Sequence, residues 1–524
     1  MKLTIPTILL PFMVFCFACK RTGISYPVLS AEAGSDSFII ETRPFGIGNE
    51  QFEADFGSLA VPENRRKEVS RSIRIPFLRI HSKSGNPSEP IFGLSGGPGQ
   101  SNMNWDRGVA WTFLPDHDFV MVGYRGVDGS CRLDCPEVVK AFKNTREPLS
   151  EESIKAIGHA WSRAAGDLKK LGVDLDGYTM LECIEDDEAV RKALGYTHIN
   201  LLSESYGTRI AYLYALKHPD HVLRSAMIAV NPPGHFVWEP RMIDAQLKYY
   251  ATLWSKDPAM SGKSPDLYNT MRKVLDAIPH RWLAVPIDAG KVRAVTFSLL
   301  FQRSNAVKVF DTFIAAEKGD ASGLALMSLA YDFVVPSLSV WGDLASKAVS
   351  ADFDSSRNYS VEMDPTSDRP LGSPMSKLLW GSLSCSNWPA NRLPDEFRRL
   401  QQSDVETLLL SGSVDFSTPY EFARNELLPY LKNGKQIIFS ECGHVGDIWY
   451  VNIENTRLIL KSFYNTGIAD TSLNTYSPIS FKVKWGFPVI AKTSVGVVAA
   501  IAFLLTAAIV KFIRRHRKRK VNLI

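Results

Sequence analysis

Several features that mark large protein classes are missing from this sequence. It has no internal repeat and no low-complexity tract, which argues against a solenoid, a propeller or a disordered chain. Only seven of its 524 residues are cysteines, and none has the spacing of a zinc site. The glycine-rich stretch "SGGPGQ" is not followed by Lys-Ser or Lys-Thr, so it is not a phosphate-binding loop. We therefore expect neither a metal nor a cofactor.

Positive charge is also scarce in the body of the chain. The formal net charge is +5, but seven lysines and arginines lie between residues 511 and 520, where there is no acid. Without those seven cations the net charge is −2, so the composition does not point to a nucleic-acid partner. The apolar content of 45% and the charged content of 22% are typical of a folded globular protein.

The N-terminal end carries an export signal. One lysine precedes an apolar run from Leu3 to Ala18, and basic residues follow it. This pattern predicts a secretory signal peptide over residues 1–19, with cleavage between Ala18 and Lys20. Cys19 raises the alternative of a lipid-modified cysteine, although "CFAC" matches that pattern poorly.

The C-terminal end carries a membrane signal. Thr493–Val510 is predominantly apolar and carries no charge, and 18 helical residues reach roughly 27 Å, enough for a thin bilayer core. The basic segment 511–524 follows directly and predicts a cytoplasmic tail, because positive charge favours the inner side of a membrane. We therefore expect a membrane-anchored protein whose remaining residues lie outside the cytoplasm, on the periplasmic or extracellular side.

Between these ends, short apolar strands alternate with helices, which predicts a mostly parallel α/β sheet covered on both faces. The alternation stops at residue 235 and resumes near residue 396. The residues between are helical, irregular and rich in tryptophan, so we interpret 235–395 as a cap inserted into a core formed by 20–234 and 396–465. Residues 466–492 are interpreted as a linker. The strands predicted in the first half are 57–61, 73–80, 91–94, 119–123 and 199–202.

Ser205 is the candidate nucleophile. The stretch "INLLSESYGTRIAYLYALKHP" places it in a tight turn between a short apolar strand and a helix. A serine hydroxyl needs such an exposed position and a neighbouring base to become a nucleophile, and the turn needs small residues on both sides. Gly207 meets that need, and Ser203 stands where glycine is usual. The alternative is that this is an ordinary turn.

Asp415 and His444 are the candidate partners of Ser205. Each follows an apolar strand in the second half of the core, in "LLLSGSVDFSTP" and "GKQIIFSECGHVGD". Loops at the carboxyl ends of parallel strands meet at one edge of a sheet. The order nucleophile, acid, histidine therefore predicts a Ser205–Asp415–His444 triad.

An oxyanion hole requires two backbone N–H groups. Tyr206 directly follows the nucleophile and supplies one. The loop "LSGGPGQ" after an earlier strand supplies the other, and we predict Gly97 as that donor.

Five short motifs in this order resemble one family, the proline iminopeptidase and tripeptidyl aminopeptidase group of α/β-hydrolases. They are "SGGPGQS" for His-Gly-Gly-Pro-Gly, "GYRGVDGS" for Asp-Gln-Arg-Gly-x-Gly-x-Ser, "SESYGTR" for Gly-x-Ser-Tyr-Gly-x-Arg, "GSVDFSTP" for Gly-x-x-Asp-x-x-Thr-Pro, and "CGHVGD" at the histidine. The resemblance covers residues 56–464. Ser95, Gly123, Tyr124 and Ser203 depart from the family pattern.

The resemblance implies an α/β-hydrolase fold with a mostly parallel sheet, a large helical cap insertion and, from the residues above, a C-terminal transmembrane helix. It also implies a serine exopeptidase that acts on short peptides with a free N-terminus. Two alternatives remain open: an esterase or amidase acting on small acyl substrates through the same triad, and a non-catalytic binding protein. Glu204, beside the nucleophile, is interpreted as structural, with binding of a substrate charge as the alternative.

The predicted export bears on the state of the remaining cysteines. An oxidising compartment permits disulfides, and five cysteines lie outside the signal region. We predict a disulfide between Cys385, at the end of the cap, and Cys442, two residues before His444. Cys183 is predicted to pair with Cys135 or Cys131.

Overall fold

The protein is described by a computed structural model that covers residues 24–30 and 33–521, with side chains through Arg514. The predicted signal peptide and Cys19 lie outside the described residues. A nine-stranded sheet organises the core in the order β1-β2-β3-β5-β4-β6-β7-β10-β11. Its strands are β1 Phe38–Ile47, β2 Glu50–Pro62, β3 Ser72–Ile80, β4 Ser88–Leu94, β5 His117–Val122, β6 Ile199–Glu204, β7 Val222–Ile228, β10 Glu406–Gly412 and β11 Gly434–Phe439. A separate hairpin joins β8 Arg281–Trp282 to β9 Val285–Pro286.

The sheet is mostly parallel, as predicted. The six neighbouring strands β5-β4-β6-β7-β10-β11 run parallel to one another, whereas β1, β2 and β3 form an antiparallel edge. All six residues of β5 and the first five of β6 are buried, because helices cover both faces of the sheet. The predicted strands in the first half correspond to β2 through β6, and β1 was not predicted.

Within the described part of the chain, five α-helices precede the cap: α1 Arg107–Phe113, α2 Pro136–Asn144, α3 Glu151–Lys170, α4 Met180–Ala193 and α5 Tyr206–Lys217. The sequence analysis did not predict α2 and α3. Both helices pack on elements of the cap as well as on the core. In α3, for example, the indole N–H of Trp161 donates to the hydroxyl of Ser382 at 3.0 Å. The helical layer over the sheet therefore begins about a hundred residues before the predicted cap.

The helices between β7 and β10 form the cap, and some of them also contact α2 and α3. They are α6 Pro240–Ser255, α7 Pro258–Ser261, α8 Leu267–Asp276, α9 Ala289–Leu299, α10 Arg303–Glu317, α11 Ser322–Val334, α12 Trp341–Asp352, α13 Tyr359–Glu362, α14 Pro374–Ser376, α15 Ser382–Ser384 and α16 Asp395–Arg398. A buried core continues from the sheet into this layer, so the cap and the sheet share one apolar interior.

The last part of the chain returns to the sheet and then leaves it. Its helices are α17 Tyr420–Phe422, α18 Val445–Tyr450, α19 Ile453–Thr466 and α20 Phe487–Val521. The segment Phe487–Arg514 of α20 contains an 18-residue window with a mean hydropathy of 2.4 that is not buried against the protein, so the segment is a candidate membrane span. The helix begins six residues before the predicted span. The predicted linker before α20 contacts the folded domain, through Asn474 and Phe481 among others.

The five cysteines of the described residues are free, so the predicted disulfides are not formed. Cys385 is exposed, and the position that a side chain would take on Gly158 in α3 is only 2.7 Å from its Cβ. Cys442 is buried in an apolar cluster to which Cys385 does not belong. The two thiols have different surroundings. Their positions in the sequence therefore did not show whether they lie close together in the fold.

Candidate active site

Ser205 lies at the turn between β6 and α5, as predicted, and its backbone has φ 51° and ψ −119°. A residue other than glycine rarely adopts a positive φ, and such residues concentrate at functional sites. Gly207 lets the turn pass close to β4, because a Cβ there would lie 2.0 Å from the carbonyl oxygen of Leu94. The turn therefore holds the serine hydroxyl out from the end of the sheet.

His444 lies in the loop between β11 and α18. Its backbone N–H donates to the carbonyl oxygen of Phe301 in the cap at 2.7 Å. The carboxylate of Asp447 accepts from the N–H groups of Gly443 and Arg303, both at 2.8 Å, and so ties the same loop to the start of α10. The histidine loop is thus fixed by the cap as well as by the sheet.

The structure brings the three residues predicted as a triad into one hydrogen-bonded row. The Nε2 atom of His444 lies 2.9 Å from the Oγ atom of Ser205, and its Nδ1 atom lies 2.8 Å from Oδ2 of Asp415. A base within hydrogen-bond reach of a serine, itself oriented by a carboxylate, is the arrangement that activates a serine for nucleophilic attack.

Asp415 is fully buried after β10 and is surrounded by donors. Oδ1 accepts from the N–H groups of Ser417 at 2.8 Å and Thr418 at 3.0 Å, and Oδ2 accepts from the Thr418 hydroxyl at 2.7 Å. Burial by itself would raise the pKa of Asp415, but the neighbouring His444 and the donors of Thr418 outweigh it and hold that pKa below its usual value. The carboxylate is therefore ionised beside the imidazole.

The two predicted oxyanion donors are the backbone N–H groups of Tyr206 and Gly97. Tyr206 is the first residue of α5, where a backbone N–H has no acceptor within the helix. Gly97 is exposed in the glycine-rich loop, and its N–H donates no hydrogen bond to another described residue. The adjacent Gly96 faces the nucleophile, since a Cβ there would lie 3.1 Å from the Cβ of Ser205. The donor role of Gly97 remains a prediction.

The cap holds the glycine-rich loop from the side away from the cleft. Gly99 donates its N–H to Asp343 in α12 at 3.0 Å and accepts from the N–H of Val340 at 2.7 Å. Asp343 also accepts from the ammonium group of Lys347 at 2.6 Å, and both side chains are fully buried. Burial would lower the pKa of Lys347, but Asp343 beside it raises that pKa, whereas burial outweighs Lys347 at Asp343 and raises the pKa of that carboxyl group.

Glu204 lies directly before the nucleophile and reaches the other side of the cleft. Its Oε1 atom accepts from the indole N–H of Trp449 in α18, so the carboxyl group joins the serine turn to the helix after the histidine. Desolvation raises the pKa of Glu204 to about 7, opposed by the Trp449 hydrogen bond and by His444. The structural interpretation fits this contact, yet a carboxyl group that titrates near neutrality can also influence the imidazole.

Aromatic side chains of the cap form a wall beside His444. The ring of Phe301 lies 5.5 Å from the imidazole between centroids. Phe301 contacts Trp238 at 5.9 Å and Phe297 at 5.2 Å, and the indole N–H of Trp238 donates to the Ser417 hydroxyl at 3.3 Å. This wall gives the cleft an apolar side next to the reacting atoms.

Three contributors to the site were not predicted. Thr418 was visible in "DFSTP", where a hydroxyl three residues after the acid can turn back to it. Asp343 and Phe301 carry no comparable signal, because their spacing from the motifs is set by the folded cap. Among residues 24–30 and 33–514, no cluster of histidine, cysteine, aspartate and glutamate is arranged to hold a metal.

Two family models match this chain. The profile of the α/β-hydrolase fold matches residues 89–266, which include Ser205, and that of TAP-like proteins matches residues 374–449, which include Asp415 and His444. The tripeptidyl aminopeptidase of Streptomyces lividans is 26% identical over 441 residues, covering 76% of this chain and 79% of that protein. The tripeptidyl aminopeptidase of Streptomyces coelicolor is also 26% identical, covering 76% of this chain and 78% of that protein.

Solved structures of lower similarity include the meta-cleavage product hydrolase of Pseudomonas fluorescens. It is 12% identical, covers 76% of this chain and 96% of that one, and has a TM-score of 0.37.

The fold and the family matches define a serine hydrolase of the α/β-hydrolase class. Within that class, the chain is similar to the tripeptidyl aminopeptidases.

Proposed function

We propose that this protein is a membrane-anchored serine exopeptidase that removes short peptides or single residues from the N-terminus of peptides. Ser205 is the nucleophile, His444 the general base and acid, and Asp415 the residue that orients the histidine. One observation carries this proposal: the imidazole of His444 lies within hydrogen-bond distance of both Ser205 and Asp415. The similarity to tripeptidyl aminopeptidases supports the exopeptidase class.

The reaction follows from the positions of these atoms. The Oγ atom of Ser205 attacks the scissile carbonyl carbon while Nε2 of His444 takes its proton. The N–H groups of Gly97 and Tyr206 donate to the oxygen that becomes negative. The C–N bond then breaks, the leaving amine takes the proton from His444, and an acyl-enzyme remains on Ser205. Water, deprotonated by the same imidazole, releases the N-terminal product and restores the serine.

The cap supports action at a chain end. It covers the carboxyl ends of the strands and contacts both the His444 loop and the Gly99 loop. A covered cleft admits the end of a peptide more readily than the middle of a folded chain. The aromatic wall around Phe301 favours an apolar substrate residue next to the scissile bond, because burial of apolar surface there stabilises the complex.

The domain arrangement is part of the proposal. Residues 1–19 are the signal peptide, 20–234 and 396–465 the hydrolase core, and 235–395 the cap. Residues 493–510 cross the membrane and 511–524 form the cytoplasmic tail, so the catalytic residues act outside the cytoplasm. The 18-residue window of mean hydropathy 2.4 within Phe487–Arg514 and the cations that follow it support this placement.

Activity-based labelling and a substrate panel test the proposal together. The full chain in membranes, and its Ser205→Ala variant, are treated with a fluorophosphonate and then assayed with tripeptidyl and aminoacyl arylamides and with simple esters. We expect labelling of the wild type alone and cleavage of arylamides that carry a free N-terminus. Turnover of esters without turnover of any arylamide would place the chain among esterases, and a wild type that is neither labelled nor active would be a non-catalytic protein.

A further inference from the structure

The segment between the last core helix and the candidate membrane helix is bound to the catalytic side of the molecule. We call residues 474–486 the strap. Its start is held by the amide of Asn474, which donates to the carbonyl oxygen of Ile438 in β11 at 3.0 Å. Its middle and end pass over the His444 loop and the cap. The strap therefore connects the element that carries the catalytic histidine to the helix that enters the membrane.

Glu441 is the main contact between the strap and the histidine loop. Its Oε1 atom accepts from the hydroxyl of Tyr476, and its Oε2 atom accepts from the N–H of Ile479 at 2.7 Å. Glu441 is nine-tenths buried and lies three residues before His444. Both carboxylate oxygens of a loop residue are thus engaged by the strap.

The backbone at Glu441 explains why this contact matters. Its φ of 58° is a conformation that residues other than glycine rarely adopt, so neighbouring contacts must hold it. The N–H of Glu441 donates to the Ser413 hydroxyl at 2.8 Å on the sheet side. On the other side, the strap supplies the two hydrogen bonds to its carboxylate. Together these contacts fix the path of the chain into His444.

Arg303, the first residue of α10, adds a second connection. Its guanidinium donates to the carbonyl oxygen of Ser477 in the strap at 2.7 Å and to that of Glu441 at 3.3 Å. Its backbone N–H donates to Asp447, which also accepts from Gly443 beside the histidine. One cap residue therefore joins the strap and both ends of the His444 loop.

The far end of the strap is fastened to the cap next to the membrane helix. Phe481 is buried against Trp254 in α6, with ring centroids 5.2 Å apart. The carbonyl oxygen of Pro488, in the first turn of α20, accepts from Ser322 of α11 at 3.4 Å, and Lys492 pairs with Asp320 at 2.8 Å. Helix α10 has 15 residues and is therefore about 22 Å long. It begins at Arg303, beside the His444 loop, and ends shortly before the residues that hold α20.

We propose that the strap is a positioning element of the active site and that Glu441 is the positioning residue through which it acts on His444. The proposal rests on the proposed function, since it assigns His444 its catalytic role. The new element is that the position of the His444 side chain depends on the strap, the segment that leads to the membrane helix. Loss of the strap contacts would let the loop relax and move the imidazole away from Ser205.

The test compares point variants of the full chain in membranes. Glu441→Ala removes both acceptors, whereas Glu441→Gln keeps the hydrogen bonds, because its carbonyl accepts from Ile479 and its amide donates to the Tyr476 oxygen. Tyr476→Phe removes one donor from an exposed side chain. Tyr430→Phe is the matched control, since its ring is also solvent-exposed and lies outside the strap.

For Glu441→Ala we expect kcat to fall at least about tenfold with KM little changed, since a small misplacement of a catalytic group is costly. Tyr476→Phe should lower kcat less, and Glu441→Gln and Tyr430→Phe should retain it. Thermal unfolding and the end-point yield of fluorophosphonate labelling give the folded, active fraction to which kcat is normalised.

Equal kcat per folded molecule in Glu441→Ala and the wild type would overturn the proposal, even if the variant unfolds at a lower temperature. A fall in kcat that Glu441→Gln does not restore would overturn it as well. A wild-type chain that is not labelled and cleaves no substrate would instead contradict the proposed function, so the two failures are distinguishable.

Discussion

The backbone N–H of Gly99 donates to the carboxylate of Asp343 at 3.0 Å, although the two residues are 244 positions apart. Gly99 belongs to the loop that carries the proposed oxyanion donor Gly97, and Asp343 lies buried in the first turn of α12. Because a Cβ on Gly99 would lie 2.8 Å from the carbonyl oxygen of Val340, only glycine lets the loop approach the cap so closely. The cap thus shapes the loop that faces the nucleophile.

Replacing Asp343 should therefore impair catalysis more than substrate binding. We expect Asp343→Ala to lower kcat at least about tenfold with a small change in KM, because an oxyanion donor acts mainly in the transition state. Steady-state kinetics on an arylamide substrate measures both constants. Asp354→Ala, at an exposed position beyond α12, is the control and should behave as the wild type.

A stability effect accompanies this change and has a separate cause. Asp343→Ala leaves the ammonium group of Lys347 buried without its partner, which costs about 3–5 kcal/mol for such pairs. The double variant Asp343→Ala with Lys347→Met should regain thermal stability without regaining kcat. Recovery of both properties would show that the loop does not need the carboxylate.

The triad residues should act as a unit. We expect Ser205→Ala and His444→Ala each to lower kcat at least about 10³-fold, and the double variant to lower it little further. Asp415→Asn should cost as much or less, since it disturbs the tautomer and orientation of the imidazole. Near-full activity of His444→Ala in a pre-steady-state assay would remove His444 from the mechanism.

Glu204 predicts a pH effect on activity near neutrality. Its pKa is raised to about 7, so it is neutral in acid and becomes ionised as the pH passes that value. The ionised carboxylate attracts the imidazolium that forms on His444 when Ser205 attacks, so wild-type kcat/KM should gain a rising component through about pH 7. Glu204→Gln should lose that component, whereas Glu396→Gln, on an exposed turn of α16, should keep it.

The same carboxyl group predicts a pH effect on stability. Its pKa is raised from 4.5 to about 7 on folding, so the native state retains a proton that the unfolded chain releases. Its contribution is therefore full below pH 4.5, declines between the two values and is lost above them. The midpoint of thermal unfolding should fall less across this range in Glu204→Gln, and an unchanged slope would contradict the assignment.

The sequence predicted the parts of the fold and site that depend on local patterns. The turn at Ser205 was recognisable because a strand, small residues and a helix follow one another within a few positions. Asp415 and His444 followed from apolar strands and chain order. The contacts from Asp343, Phe301 and Glu441 were not predictable, because they join segments far apart in the chain and have no fixed spacing.

Two further expectations show the same limit. The cysteine pairing was inferred from compartment and position alone, without knowledge of which surface each thiol faces. Residues 466–492 are predicted to form a linker, yet irregular backbone can bind tightly through individual side chains, as Asn474 and Phe481 do.

The place where the chain is truncated should decide whether a soluble form is active. A chain that ends at Lys492 lacks the predicted span Thr493–Val510 but keeps the strap, its contacts with Glu441 and the Lys492–Asp320 pair. We expect this form to leave the membrane fraction and to keep the kcat of the full chain, because the triad and the elements that position it are complete. A chain that ends at Thr466 retains the sheet and α19 but loses every strap contact, and its kcat per folded molecule should be lower. If the form ending at Lys492 is folded and soluble yet inactive, the membrane helix contributes to catalysis beyond anchoring.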